Sequence, residues 1–127
     1  MTDWKPAGYS SASPYLLVAE AERTLTFLEE VFGAVRLRVR SREAGGIEHA
    51  EAKIDDTVVM MGEVPEPETA HVHVYVADAD ARFEKAVAAG GRIVQESKRS
   101  GDGDYRGGIA DPNGIVWWIS RQADDRN

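Results

Sequence analysis

Residues 15–34 read YLLVAEAERTLTFLEEVFGA and residues 73–92 read HVYVADADARFEKAVAAGGR. Each passage opens on a short apolar strand ending in Val, runs through alternating Ala and acid, and closes a helical pattern on Gly. Val18 and Val76 stand 58 positions apart, as do Glu20 and Asp78, Glu22 and Asp80, Leu25 and Phe83, and Gly33 and Gly91. A constant offset across a whole strand–helix unit marks an internal duplication. Two copies of 58 fill 116 of the 127 residues. The expectation is a single domain over 1–127, built from two repeats near 13–64 and 71–121.

Leu25, Leu28, Val31 and Phe32 recur at helical spacing, and Phe83, Ala86 and Val87 do so more weakly. Asp78 and Asp80 stand where a second helix would be capped, and Gly90–Gly91 where it would stop. Strand-like segments follow each helix: VRLRVR, IEHAEAKI and TVVMMG in the first half, then GRIVQE, a stretch around GGIAD, and IVWWIS. Each half therefore reads as strand, helix and three strands, an α+β class. Residues 1–13 read as a loose arm and 62–70 (GEVPEPETA) as a linker. Residues 96–108 (ESKRSGDGDYRGG) read as a long loop, and 121–127 (RQADDRN) as a solvated tail. Asp111–Pro112–Asn113–Gly114 reads as a β-turn.

Fifteen Lys and Arg against 22 Asp and Glu leave a net charge of −7. Binding to a phosphate backbone runs on surplus cations, so nucleic acid is not expected as a partner. The absence of Cys excludes disulfides, thiolate nucleophiles and Cys-ligated metals. No apolar run approaches a membrane span and the N-terminus lacks the apolar core of a signal peptide, so neither a membrane nor export is expected. The expected location is the cytoplasm.

Successive strand side chains point to opposite faces. In HVHVYV (71–76) the valines share one face, while His71, His73 and Tyr75 share the other. Trp117 and Trp118 likewise point oppositely, one toward the core and one toward any concavity. The offset of 58 carries Ser13 onto His71 and Met60 onto Trp118. In IEHAEAKI, His49, Glu51 and Lys53 oppose Ala50, Ala52 and Ile54, the pattern of an ordinary half-exposed strand.

These two passages, with GDYRGGIADPNGIVWWIS (103–120), resemble the vicinal oxygen chelate superfamily of glyoxalase I, ring-opening dioxygenases and the fosfomycin and bleomycin resistance proteins. The resemblance implies two βαβββ modules curled into an incomplete β-barrel around a cup, and a homodimer. It also implies four metal positions, which fall here on Ser13, Met60, His71 and Trp118. Only His71 is a usual ligand, whereas a catalytic zinc takes three protein ligands. The expectation is therefore a cofactor-free, metal-free protein that sequesters an aromatic or cationic small organic molecule, as bleomycin and other antibiotic resistance proteins do. Tyr15, Met60, His71, His73, Tyr75 and Trp118 are the expected ligand-binding residues. The alternative is a divalent-metal lyase, isomerase or dioxygenase of the same superfamily, with a rearranged site drawn from His49, Glu51, His71 and His73. No catalytic residue is assigned, and the Gly-rich stretch 101–108 has no assigned role.

Overall fold

The computed structural model describes residues 4–123. The chain divides between Glu68 and Thr69 into two compact units. In the first, β1 (Tyr15–Val18) is followed by α1 (Ala21–Phe32), β2 (Val35–Ser41), β3 (Ile47–Ile54) and β4 (Thr57–Glu63). The second repeats the order with β5 (His71–Tyr75), α2 (Ala79–Ala88), β6 (Arg92–Arg99), β7 (Asp104–Ala110) and β8 (Val116–Gln122). The sheets are open and four-stranded, ordered β1-β4-β3-β2 and β5-β8-β7-β6. In each the first strand lies parallel to the last and the other pairings are antiparallel. The duplication extends to register, since Tyr15 pairs with Met60 and His73 with Trp118, the same pair moved by 58.

In the first unit Leu16, Val18, Ala50, Ala52 and Met61 alternate onto a buried face. Small alanines at 50 and 52 let α1 lie close on β3. The helix buries Leu25, Leu28 and Val31, and also Thr24 and Phe27, a wider stripe than the apolar spacing alone indicates. It ends in a Schellman-type stop: Gly33 adopts φ 66, and the Ala34 N–H reaches back to the Leu28 carbonyl at 3.2 Å. Its start is held from a distance. Glu63 Oε2 accepts the Ala21 N–H at 2.7 Å, while Oε1 accepts the Ile47 N–H at 2.8 Å. A carboxylate at a helix N-terminus satisfies orphan donors and complements the dipole.

In the second unit Val74, Phe83, Ala86, Ile109, Ile115, Trp117 and Ile119 are buried. Trp117 is the largest fully buried side chain, worth about 2–3 kcal/mol in removed apolar surface. Two adjacent glycines of β7 keep both faces of that sheet clear. A Cβ at Gly107 would stand 2.6 Å from the Phe83 ring of α2, and one at Gly108 would stand 2.7 Å from the Trp118 ring on β8.

The structure corrects several expectations. Asp78 is the N-cap of α2, yet its side chain makes no capping bond and accepts from Arg82 Nε at 3.1 Å instead. Residues 96–108 are no long loop: β6 and β7 pair from Lys98–Arg106 through Arg99–Tyr105, leaving Ser100–Gly103 as a tight connection. Gly101 and Gly103 serve that turn, and the flanking charged residues belong to strands. The arm is not loose where it is described, because Lys53 Nζ donates to the Gly8 carbonyl at 2.7 Å and the Ser10 hydroxyl receives the Val58 N–H at 3.3 Å. Arg121 and Gln122 belong to β8, and residues 124–127 of the expected tail lie outside the described residues, as do residues 1–3 of the arm. Among the described residues no helix is long and apolar enough to cross a membrane.

Candidate functional site

The expected site residues fall into two groups, one per unit. On the first sheet, Tyr15 of β1, Met60 of β4 and Glu51 of β3 stand in one register row. Tyr15 is half exposed and Met60 partly buried. Ser13, just ahead of β1, shares a hydrogen bond with the Ser10 hydroxyl at 2.9 Å. Glu51 is buried, with 2% of its surface exposed. Its Oε2 lies 2.7 Å from His49 Nε2, and its Oε1 accepts the Tyr9 hydroxyl. Burial alone pushes the Glu51 carboxyl up, but hydrogen bonds from Tyr9, His49 and the Arg38 backbone outweigh it and hold the group below its usual range. The same contact raises the Tyr9 phenol above its ordinary value, with burial adding to the shift.

A carboxylate facing Nε2 makes that nitrogen the donor. His49 Nδ1 lies 3.4 Å from the Tyr15 hydroxyl. Gly62 makes room for this approach, since a Cβ there would stand 3.0 Å from Tyr15 Oη. Glu51, His49 and Tyr15 thus form a chain from a buried charge to an exposed hydroxyl. The alternating pattern of IEHAEAKI gave no sign that Glu51 is buried, because the residue that covers it, Tyr9, comes from outside any periodic element.

On the second sheet His71, His73, Tyr75 and Trp118 come together. Trp118 Nε1 donates to His71 Nδ1 at 3.1 Å, and the two rings lie edge to edge and nearly coplanar, with centroids 6.2 Å apart and planes 15° apart. His73 meets Tyr75 edge-on at 4.5 Å between centroids. The Tyr75 hydroxyl donates to Asp104 Oδ2 at 2.8 Å, and His73 Nε2 lies 3.7 Å from the same oxygen. Asp104 also faces Arg106 Nη1 at 3.4 Å and is 2% exposed. A groove of about 330 Å³ opens beside these groups, lined by His73, Gln95, Lys98, Ser100, Arg106 and Trp118. Four of those six were not expected from the sequence. Reading 96–108 as a loop hid the strand alternation that places Arg106 and Gly108 on one face of β7.

The metal positions implied by the resemblance do not offer a ligand set. Trp118 has no lone pair to give, its indole N–H being a donor only. His71 has one lone pair in its neutral form, and Trp118 occupies it. Ser13 is bonded to Ser10, and Met60 offers only a thioether. In the rearranged set, His49 and Glu51 are bonded to each other. Among the described residues no three His, Cys, Asp or Glu are grouped to hold a metal ion.

Two repeated βαβββ units carrying an aromatic, histidine-lined sheet face define a class. The chain belongs to the glyoxalase/bleomycin resistance protein/dioxygenase superfamily, whose model matches residues 11–119. An uncharacterised protein of Mycobacterium bovis is 30% identical over 91% of this chain and 85% of its own length. An uncharacterised protein of Mycobacterium tuberculosis is 30% identical over 91% of this chain and 76% of its own. Among solved structures, TioX from Micromonospora sp. ML1 superposes with a TM-score of 0.70 at 26% identity, over 88% of this chain and 99% of that one. The fosfomycin resistance protein FosX from Listeria monocytogenes gives 0.70 at 14% identity, over 91% and 94%, a likeness of fold.

Proposed function

We propose that this chain is a metal-free, cofactor-free binding protein that sequesters a planar organic molecule against Trp118, with no reacting group required. Of the two ligand types expected from the sequence, aromatic and cationic, an indole floor suits the first. The observation that carries the reading is the Trp118–His71 hydrogen bond, which uses the histidine lone pair a metal would need and holds the indole flat. Tyr75, His73 and His71 add edge contacts and polar orientation within the second unit. Titrating purified protein with bleomycin-like and other planar compounds tests this by calorimetry. At least one class should bind stoichiometrically, and Trp118→Ala should abolish the response. No binding across such a library overturns the reading, and so does a stoichiometric divalent metal that is lost in His71→Ala.

A second reading, an enzyme of the same superfamily, is favoured by the Glu51–His49–Tyr15 chain, which could move a proton to or from a substrate. Turnover that depends on His49 would select it. The proposal also includes a homodimer. Edge strands β2 and β6 leave Val35, Val39, Ile93 and Val94 exposed, and uncovered edges invite pairing. Light scattering should return the mass of two chains.

A further inference from the structure

The lining of the second-unit groove runs against the charge of the chain. The molecule carries −7 overall, yet the groove presents Lys98 and Arg106 and no carboxylate. The two cations are cross-strand partners, Lys98 on β6 opposite Arg106 on β7. Residues so placed hold their Cβ atoms about 4.5–5.5 Å apart, and like charges there repel. Arg106 is steadied from behind through a single nitrogen, Nη1, which reaches Asp102 at 3.2 Å and Asp104 at 3.4 Å. Asp104 is buried and also accepts the Tyr75 hydroxyl, so its charge is engaged inward rather than offered to the groove. No carboxylate among the described residues pairs with Lys98. Ser100 also lines the groove. Beside these donors lies flat apolar surface, because Gly108 keeps the space over β7 open to the Trp118 ring.

We infer that the groove selects a planar aromatic molecule bearing a carboxylate or comparable oxyanion, with the ring on Trp118 and the anion bridging Lys98 and Arg106. An anion there gains charge-assisted hydrogen bonds from Lys98 and from the guanidinium nitrogens that Asp102 and Asp104 leave unused, whereas an aromatic cation meets the Lys98 ammonium. The inference rests on the sequestration reading for the ring and adds the sign of the charge. A groove of about 330 Å³ sits at the lower end of small-molecule sites, which suits one or two fused rings.

Calorimetry on the intact protein with naphthalene-2-carboxylate, naphthalene-2-carboxamide and naphthalen-2-ylmethylammonium separates the two ideas. The carboxylate should bind about tenfold tighter than the carboxamide, with the ammonium weakest. Lys98→Gln, at an exposed position, should narrow the carboxylate's advantage over the carboxamide, with Arg106 retaining the remainder. Added salt should narrow the gap in the wild type. If the carboxamide or the ammonium binds as tightly as the carboxylate, the charge inference fails while the aromatic reading stands. If none of the three binds, both fail. A carboxylate preference that is undiminished in Lys98→Gln overturns the placement of the anion.

Discussion

Asp111 shows how one side chain can hold a turn and a core together. Its Oδ1 accepts the N–H groups of Asn113 at 2.8 Å and Ile115 at 3.1 Å, and its Oδ2 accepts the buried Trp117 Nε1 at 3.0 Å. Gly114 closes the turn at φ 85. Asp111→Ala strands the indole N–H in the core and should lower stability by about 2–4 kcal/mol, measured by urea unfolding. Glu51 makes a second residue-scale prediction. Its carboxyl is held below its ordinary value of 4.5 in the folded protein, so the unfolded chain binds that proton more readily. The resulting stability is complete above the unfolded value and is lost as pH falls through the lowered folded one. Melting wild type and Glu51→Gln between about pH 6 and pH 3 should show a gap that closes in acid. The aspartate of the turn was legible as a turn former, because Pro and Gly follow it. Its grip on Trp117 was not, since an indole six residues away lies beyond any turn rule.

At the scale of elements, Arg36 of β2 fastens α1. Its Nη1 and Nη2 reach the two oxygens of Glu22 at 2.9 and 2.6 Å, and Nη2 and Nε reach those of Glu29 at 2.8 and 3.3 Å. These hydrogen bonds raise the guanidinium's affinity for its proton and lower that of the Glu22 carboxyl. Lysine cannot reproduce the planar fork. Arg36→Lys should therefore destabilise by up to about 1 kcal/mol at low salt, less in about 1 M NaCl, by thermal melts at both concentrations. Helices and most strands were legible because their apolar periods are local. The β6–β7 hairpin was not, because its glycines and charges resemble a loop until the pairing of Lys98 with Arg106 is seen. The donor side of the groove was hidden with it.

For the molecule as a whole, the repeat was the most legible feature, since a single offset of 58 fixes element order and register together. The pairing of Trp118 with His71 was less so: parity was consistent with a shared face, but only the structure supplies the hydrogen bond. With −7 net charge and a pI near 4.9, the chain should not retard duplex DNA in a gel-shift assay at about 0.1 M salt, and retardation at that salt would contradict the charge argument.

The neighbouring glycines of β7 look to opposite sides, one to Phe83 and one to Trp118. A saturation screen should therefore score them as different phenotypes. Bulk at position 107 depletes cellular abundance by lifting a helix from its sheet. Bulk at position 108 displaces the Trp118 ring and, under the proposed function, should cost binding of a planar ligand more than abundance.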